Sequence, residues 1–112
     1  MIFEIRNYHF DPDRLDQYKV WACERAIPYF NQFVDVVGFW ADCGIDEEVR
    51  GAPLDDLGPA TVTWIIRWES HEQRQREMPQ IIGSEDWKQI FAHVPGGASS
   101  YRRIECRFFE SV

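Results

Sequence analysis

The sequence lacks most of the features that announce a mechanism. Its three cysteines, Cys23, Cys43 and Cys106, are odd in number and widely spaced, with no C-x-x-C among them. They provide neither a disulfide framework nor a zinc site and fit a reducing compartment. No uncharged apolar run approaches the roughly 18 residues of a membrane helix. The opening Met1-Ile2-Phe3-Glu4-Ile5-Arg6 has no basic segment followed by an apolar one, so it does not read as a signal peptide. A soluble cytoplasmic protein is expected. Basic residues are outnumbered 12 to 19, for a formal charge of -7. That excludes a nucleic-acid or anionic-membrane binder, because phosphate neutralisation needs a basic surface. Gly96-Gly97 is not followed by a Lys-Ser/Thr pair, so there is no phosphate loop. There is no Gly-x-Ser-x-Gly elbow and no His/Cys/Asp cluster at metal-ligand spacing. Cys23 has no evident activating histidine, which argues against a thiolate nucleophile. Neither a metal nor any other cofactor is implied. Internal repeats and low-complexity tracts are also missing.

What the chain does have is length for one core and an unusual share of aromatics. Its 112 residues suit a single domain spanning 1–112, and 15% are aromatic, five of them Trp. Residues 2–9 alternate with a period of two and read as a strand. Asp11-Pro12-Asp13 supplies an N-cap, a first-turn proline and a first-turn acid. Leu15, Tyr18, Ala22, Ala26, Tyr29 and Phe33 then recur at helical spacing. Pro28 is expected to kink this helix or end its first segment. A second strand covers 36–43, and the acidic, Gly- and Pro-broken residues 45–60 read as a long exposed hairpin loop. Strand three is 61–69, rich in β-branched and aromatic residues. Ser70 caps a helix, a break falls at 78–84, and a second stretch runs 85–93. Strand four is 100–109.

The order β-α-β-β-α-β is that of the ferredoxin-like α+β fold, a four-stranded antiparallel sheet with both helices on one face. If Phe3 and Ile5 face the helices, so do Asn7, His9, Phe39, Trp64, Ile66, Trp68, Ile104, Cys106 and Phe108. The opposite face then carries Glu4, Arg6, Tyr8, Trp40, Thr63, Ile65, Arg67, Arg103, Glu105, Arg107 and Phe109. The first and last strands are neighbours in this topology, and pairing Glu4 with Arg107 and Arg6 with Glu105 sets opposite charges across from each other. A face bearing these charges and Trp40 is expected to pair with a second copy. The expected homodimer interface is therefore Glu4, Arg6, Trp40, Arg67, Glu105 and Arg107.

Several segments carry a resemblance. Phe3-Glu4-Ile5-Arg6-Asn7-Tyr8 is similar to the Tyr-Glu-Leu-Arg-x-Tyr opening of the NIPSNAP family. Ala26-Ile27-Pro28 resembles its Ala-Leu-Pro, and Gly38-Phe39-Trp40 its second strand. Arg67-Trp68-Glu69-Ser70-x-x-x-Arg74 resembles its Arg-Tyr-x-Ser-x-x-x-Arg. The match follows the chain in order, apart from a longer 45–60 loop. The resemblance implies a dimeric α+β barrel, in which two sheets face each other. It implies little about reaction, because that superfamily holds cofactor-independent monooxygenases, isomerases, polyketide cyclases, haem-binding enzymes and non-catalytic members. Trp68, Trp64 and Ile66 depart from the family pattern on the helix-facing layer, where relatives usually place their ligand.

Among groups able to carry chemistry, His9 titrates near neutral pH and is the candidate general acid or base. Asn7 beside it and Tyr18 on the inward helix face are candidates for orienting a ligand and stabilising an oxyanion. Tyr29, Phe39, Trp64, Trp68, Met78 and Phe91 are candidate pocket residues, although aromatics at such spacings commonly fill cores. His71 reads as exposed, and His93 as a helix-end residue or, remotely, a haem ligand. Two functions follow. One is a small-molecule enzyme without metal or flavin, acting on a hydrophobic, aromatic or polyketide-like compound by oxygenation, isomerisation or cyclisation. The other is a dimeric binding or assembly module without turnover.

Overall fold

In the computed structural model, which describes residues 1–112, the chain runs β1 (Ile2–Phe10), α1 (Leu15–Trp21), a π-helical turn (Ala22–Ala26) and α2 (Ile27–Asn31). It continues through β2 (Asp35–Ala41), β3 (Val62–Trp68), α3 (His71–Ile82), α4 (Glu85–Phe91) and β4 (Tyr101–Phe109). The strands form one antiparallel sheet in the order β2-β3-β1-β4. This is the ferredoxin-like arrangement, with the helices on one face. The caps are those the sequence implies: Asp11 accepts from the Asp13 N–H, and Ser70 from the Gln73 N–H at 3.1 Å. No helix is long and apolar enough to cross a membrane.

Two of the six prolines, Pro28 and Pro79, are absorbed within helices. Pro28 does not end the first helix, which continues through the π turn into α2 with the proline in its first turn. A proline ring collides with the carbonyl four residues earlier, and a wider turn moves that carbonyl away. Likewise α3 runs through Pro79 and stops one turn later. There the Gly83 N–H returns to the Pro79 carbonyl at 3.0 Å. A Cβ on Gly83 would lie 2.7 Å from that oxygen, so the stop needs a glycine.

The sheet corrects the expectation for β1. Ile2, Glu4, Arg6, Tyr8 and Phe10 face the helices, opposite Trp68, Ile66, Trp64 and Val62 of β3. Phe3, Ile5, Asn7 and His9 face the open side. The register with β4 places Glu4 against Phe108 and Arg6 against Cys106, not against Arg107 and Glu105. A slip of one residue reverses every side chain of a strand. Here the charges of β1 are satisfied on the buried face by α3 and by indoles of β3, so cross-strand charge pairing does not set the register. Fully buried Phe10 belongs to the same face. Of the six expected interface residues, Glu4 and Arg6 are therefore beneath the helices, while Trp40, Arg67, Glu105 and Arg107 are on the open face. β3, β4 and Phe39 present the expected sides.

The β2–β3 connection carries no helix or strand across residues 45–60. It is tied to β4 by Asp55, which accepts from Arg103 Nη1 at 2.5 Å, and by the Gly58 carbonyl, which accepts from Nη2 at 2.9 Å.

Candidate functional site

A cavity of about 170 Å³ lies between the sheet and the helices. Every layer of the fold contributes to its wall: Arg6, Tyr8 and Trp64 from the two central strands, and Phe39, Tyr101 and Ile104 from the outer ones. Tyr18 and Trp21 come from α1, Ala26 and Phe30 from the π turn and α2, and Met78, Ile82, Trp87 and Phe91 from α3 and α4. Its mouth is marked by Ile82 and Ile104, which keep 46% and 55% of their surface exposed. Aromatic rings meet around it in tilted and edge-on pairs, such as Phe30 with Trp64 at 4.9 Å and Phe30 with Trp87 at 4.8 Å between centroids.

One end of this apolar space is polar. Glu4, wholly buried, accepts from Arg6 Nη1 at 2.6 Å, Arg74 Nε at 2.9 Å and Trp68 Nε1 at 3.1 Å. Arg6 Nε donates to the Tyr8 hydroxyl oxygen at 2.7 Å, and Trp64 Nε1 donates to the same oxygen at 2.9 Å. The Arg6 guanidinium also lies 5.6 Å from the ring centres of Tyr8 and Trp64. Burial pushes the Glu4 carboxyl up, but the hydrogen bonds and charges of Arg74 and Arg6 outweigh it and hold the group below the ordinary carboxylate range. Burial opposes the Arg6 charge, yet the Tyr8 oxygen and Glu4 reverse this and hold the guanidinium protonated. Tyr8, Tyr18 and Tyr101 are all pushed upward, chiefly by burial. At neutral pH the cavity thus presents a fixed cation and three neutral phenols. All four are hydrogen-bond donors, and no carboxylate, imidazole or thiol lines the wall.

The structure brings together five of the expected site residues: Tyr18, Phe39, Trp64, Met78 and Phe91 all line the cavity. His9 and Asn7 do not reach it, because they are on the other side of β1. Asn7 Oδ1 accepts from Thr63 Oγ1 at 2.7 Å on the open face, and the buried His9 ring leaves its Nδ1 without a partner. Tyr29 is spent on structure, donating to the Ile81 carbonyl at 2.6 Å. Trp68 serves Glu4. The groups not foreseen are Glu4, Arg6, Tyr8 and Tyr101 on the sheet and Arg74 on α3. Two of the family-like segments, the one opening at Phe3 and the one ending at Arg74, meet in space at Glu4. His71 and His93 are exposed. No cluster of three or more His, Cys, Asp or Glu side chains has the makings of a metal site.

Solved structures share this architecture. An uncharacterised NIPSNAP domain protein from Burkholderia xenovorans superposes with a TM-score of 0.75 at 12% identity, over all of this chain and 95% of that one. A NIPSNAP family protein from Agrobacterium tumefaciens gives 0.75 at 15% identity, covering 99% of this chain and 85% of the other. A further one from the same organism, described as of unknown function, gives 0.74 at 14% identity, over 97% and 86%. The chain therefore has the fold of NIPSNAP-domain proteins. No protein-family model and no curated protein matches its sequence.

Proposed function

We propose that the chain is a NIPSNAP-type protein that binds one small aromatic or otherwise apolar molecule in the cavity between sheet and helices. The observation that supports this is the wall itself: a space of about 170 Å³, lined by aromatic and aliphatic side chains and open at Ile82 and Ile104. A dry apolar cavity of about 150 Å³ takes one benzene. The space matches a single-ring compound better than a polycyclic one.

The acid–base enzyme expected from the sequence needs a proton acceptor that works near neutral pH. His9 and Asn7 lie across the sheet from the cavity, and the phenols are raised out of that range. Binding is the reading the geometry favours. Turnover is a second reading, supported by the convergence of Arg6, Tyr8, Tyr18 and Tyr101. Such a donor set stabilises an enolate or phenolate as it forms, so a substrate that ionises readily could be oxygenated or isomerised there.

The protein is proposed to act as a dimer closed across the open sheet face. That face joins apolar Phe3, Ile5, Ile65 and Trp40 to Glu105 and Arg107. Neither of the last two has an ion-pair partner within the chain. A two-fold arrangement sets such charges against their complements on the second copy.

Toluene tests the binding reading, titrated calorimetrically into the full chain and into Ile104→Trp. Because Ile104 is exposed at the mouth, the indole obstructs entry without crowding the core. Saturable 1:1 binding to the natural chain, weakened at least about tenfold in the variant, is expected. Equal binding to both, or none to either, would remove the reading.

A further inference from the structure

The polar end of the cavity is unbalanced. Glu4 is the only carboxylate paired with either Arg6 or Arg74, so one negative charge serves two guanidiniums and an excess positive charge is left at the cavity floor. Arg6 and Arg74 keep only 15% and 19% of their side-chain surface exposed, so water offsets this charge in part and an anion beside it is favoured. None of the cavity-lining residues can supply one, since Arg6 is the only charged member.

The donors are also left over in a defined place. An arginine carries five N–H bonds, and Arg6 spends one on Glu4 and one on Tyr8. Its remaining N–H bonds have no protein acceptor. The Tyr8 oxygen already accepts from Arg6 and from Trp64, which occupies both lone pairs. Its own proton is then free to donate, and Tyr8 borders the cavity. Tyr18 and Tyr101 stand beside it, with Tyr101 5.3 Å from the Tyr8 ring and 6.1 Å from that of Tyr18. Unspent donors on Arg6 and Tyr8 at the cavity wall, a guanidinium sharing its one carboxylate, and an aromatic chamber of single-ring size describe one kind of guest.

Resting on the cavity as a ligand site, we infer that the occupant is a single-ring aromatic acid or acidic phenol, held with its oxyanion against Arg6 and Tyr8 and its ring among Phe30, Trp64 and Trp87. The shape of the cavity selects the ring, and the excess charge selects the ionised form over a neutral isostere.

The test uses the full chain at neutral pH with three probes: benzoate, its neutral isostere benzamide, and toluene. Benzoate is expected to bind at least about tenfold tighter than benzamide, the advantage of a charge-assisted over a neutral hydrogen bond. In Arg6→Met that preference disappears. A measurement that needs no variant guards against misfolding of Arg6→Met. Bound to the natural chain, 4-nitrophenol should release its proton to the buffer at a pH below that at which it ionises free in solution, read from the visible absorption of the phenolate. If benzoate and benzamide bind equally while toluene still binds, the inference is overturned and the cavity survives as an apolar site. If no probe binds, the site reading itself fails and takes the inference with it.

Discussion

Glu4→Gln is the sharpest probe of how the fold is held together. The substitution keeps the shape of the side chain and an oxygen for Trp68 Nε1, but it leaves Arg6 and Arg74 without a countercharge. Breaking a buried ion pair by removing one partner costs about 3–5 kcal/mol. Both guanidiniums keep some contact with water, 15% and 19% of their side-chain surface, so the lower end applies, about 3 kcal/mol. Unfolding entropy is about 2.1 cal/mol/K per residue, and over 112 residues that cost lowers Tm by roughly 13 °C. The pH dependence carries a second signature. The Glu4 carboxyl is depressed in the folded chain, so its contribution is complete above the unfolded carboxyl value of about 4.3. It is lost as pH falls below that and through the folded value. Urea denaturation at neutral pH and at stepwise lower pH should show the natural chain converging on Glu4→Gln as acid is added. A variant within about 1 kcal/mol of the natural chain at neutral pH would refute the reasoning, as would a gap between the two that does not close in acid.

Two further outcomes follow from the packing. Gly83→Ala puts a Cβ 2.7 Å from the Pro79 carbonyl oxygen, and should cost on the order of 1–3 kcal/mol in urea denaturation, whereas the same change at exposed Gly44 meets no atoms and is opposed only by its positive φ. Ile65→Asp places a charge in the middle of the open sheet face. Sedimentation velocity should show the natural chain as a dimer and the variant as a monomer, with the far-ultraviolet spectrum unchanged.

The fold was legible because its signals are local. The strand alternation, the Asp11 and Ser70 caps and the order of elements each follow from a few neighbouring residues. The face of β1 was not legible, for a physical reason. This central strand bears apolar side chains on both sides, and its charged residues look solvent-facing until Arg74 is known to lie above them. Arg74 is 70 residues from Glu4, a partnership that periodicity does not reveal. Phe10 was the available signal: carrying the strand one residue further adds a large apolar side chain to the face of Ile2 and Tyr8. The same slip explains the candidate site. Tyr18, Phe39, Trp64 and Phe91 were placed by pattern and do line the cavity, whereas Tyr29 and Trp68, chosen by the same pattern, are held elsewhere by Ile81 and Glu4. His9 and Asn7 followed β1 to the wrong side, while Arg6 and Tyr8, assigned to the open face, form the polar floor.

Solution NMR of the five indole N–H groups, followed during benzoate titration, tests the central claim most directly. Trp21, Trp64 and Trp87 border the cavity, whereas Trp40 lies on the open face with 53% of its surface exposed. The account predicts saturable shifts at the cavity indoles, Trp64 above all because its N–H is bonded to Tyr8, with Trp40 unmoved. Shifts confined to Trp40, or none at any indole, would contradict it.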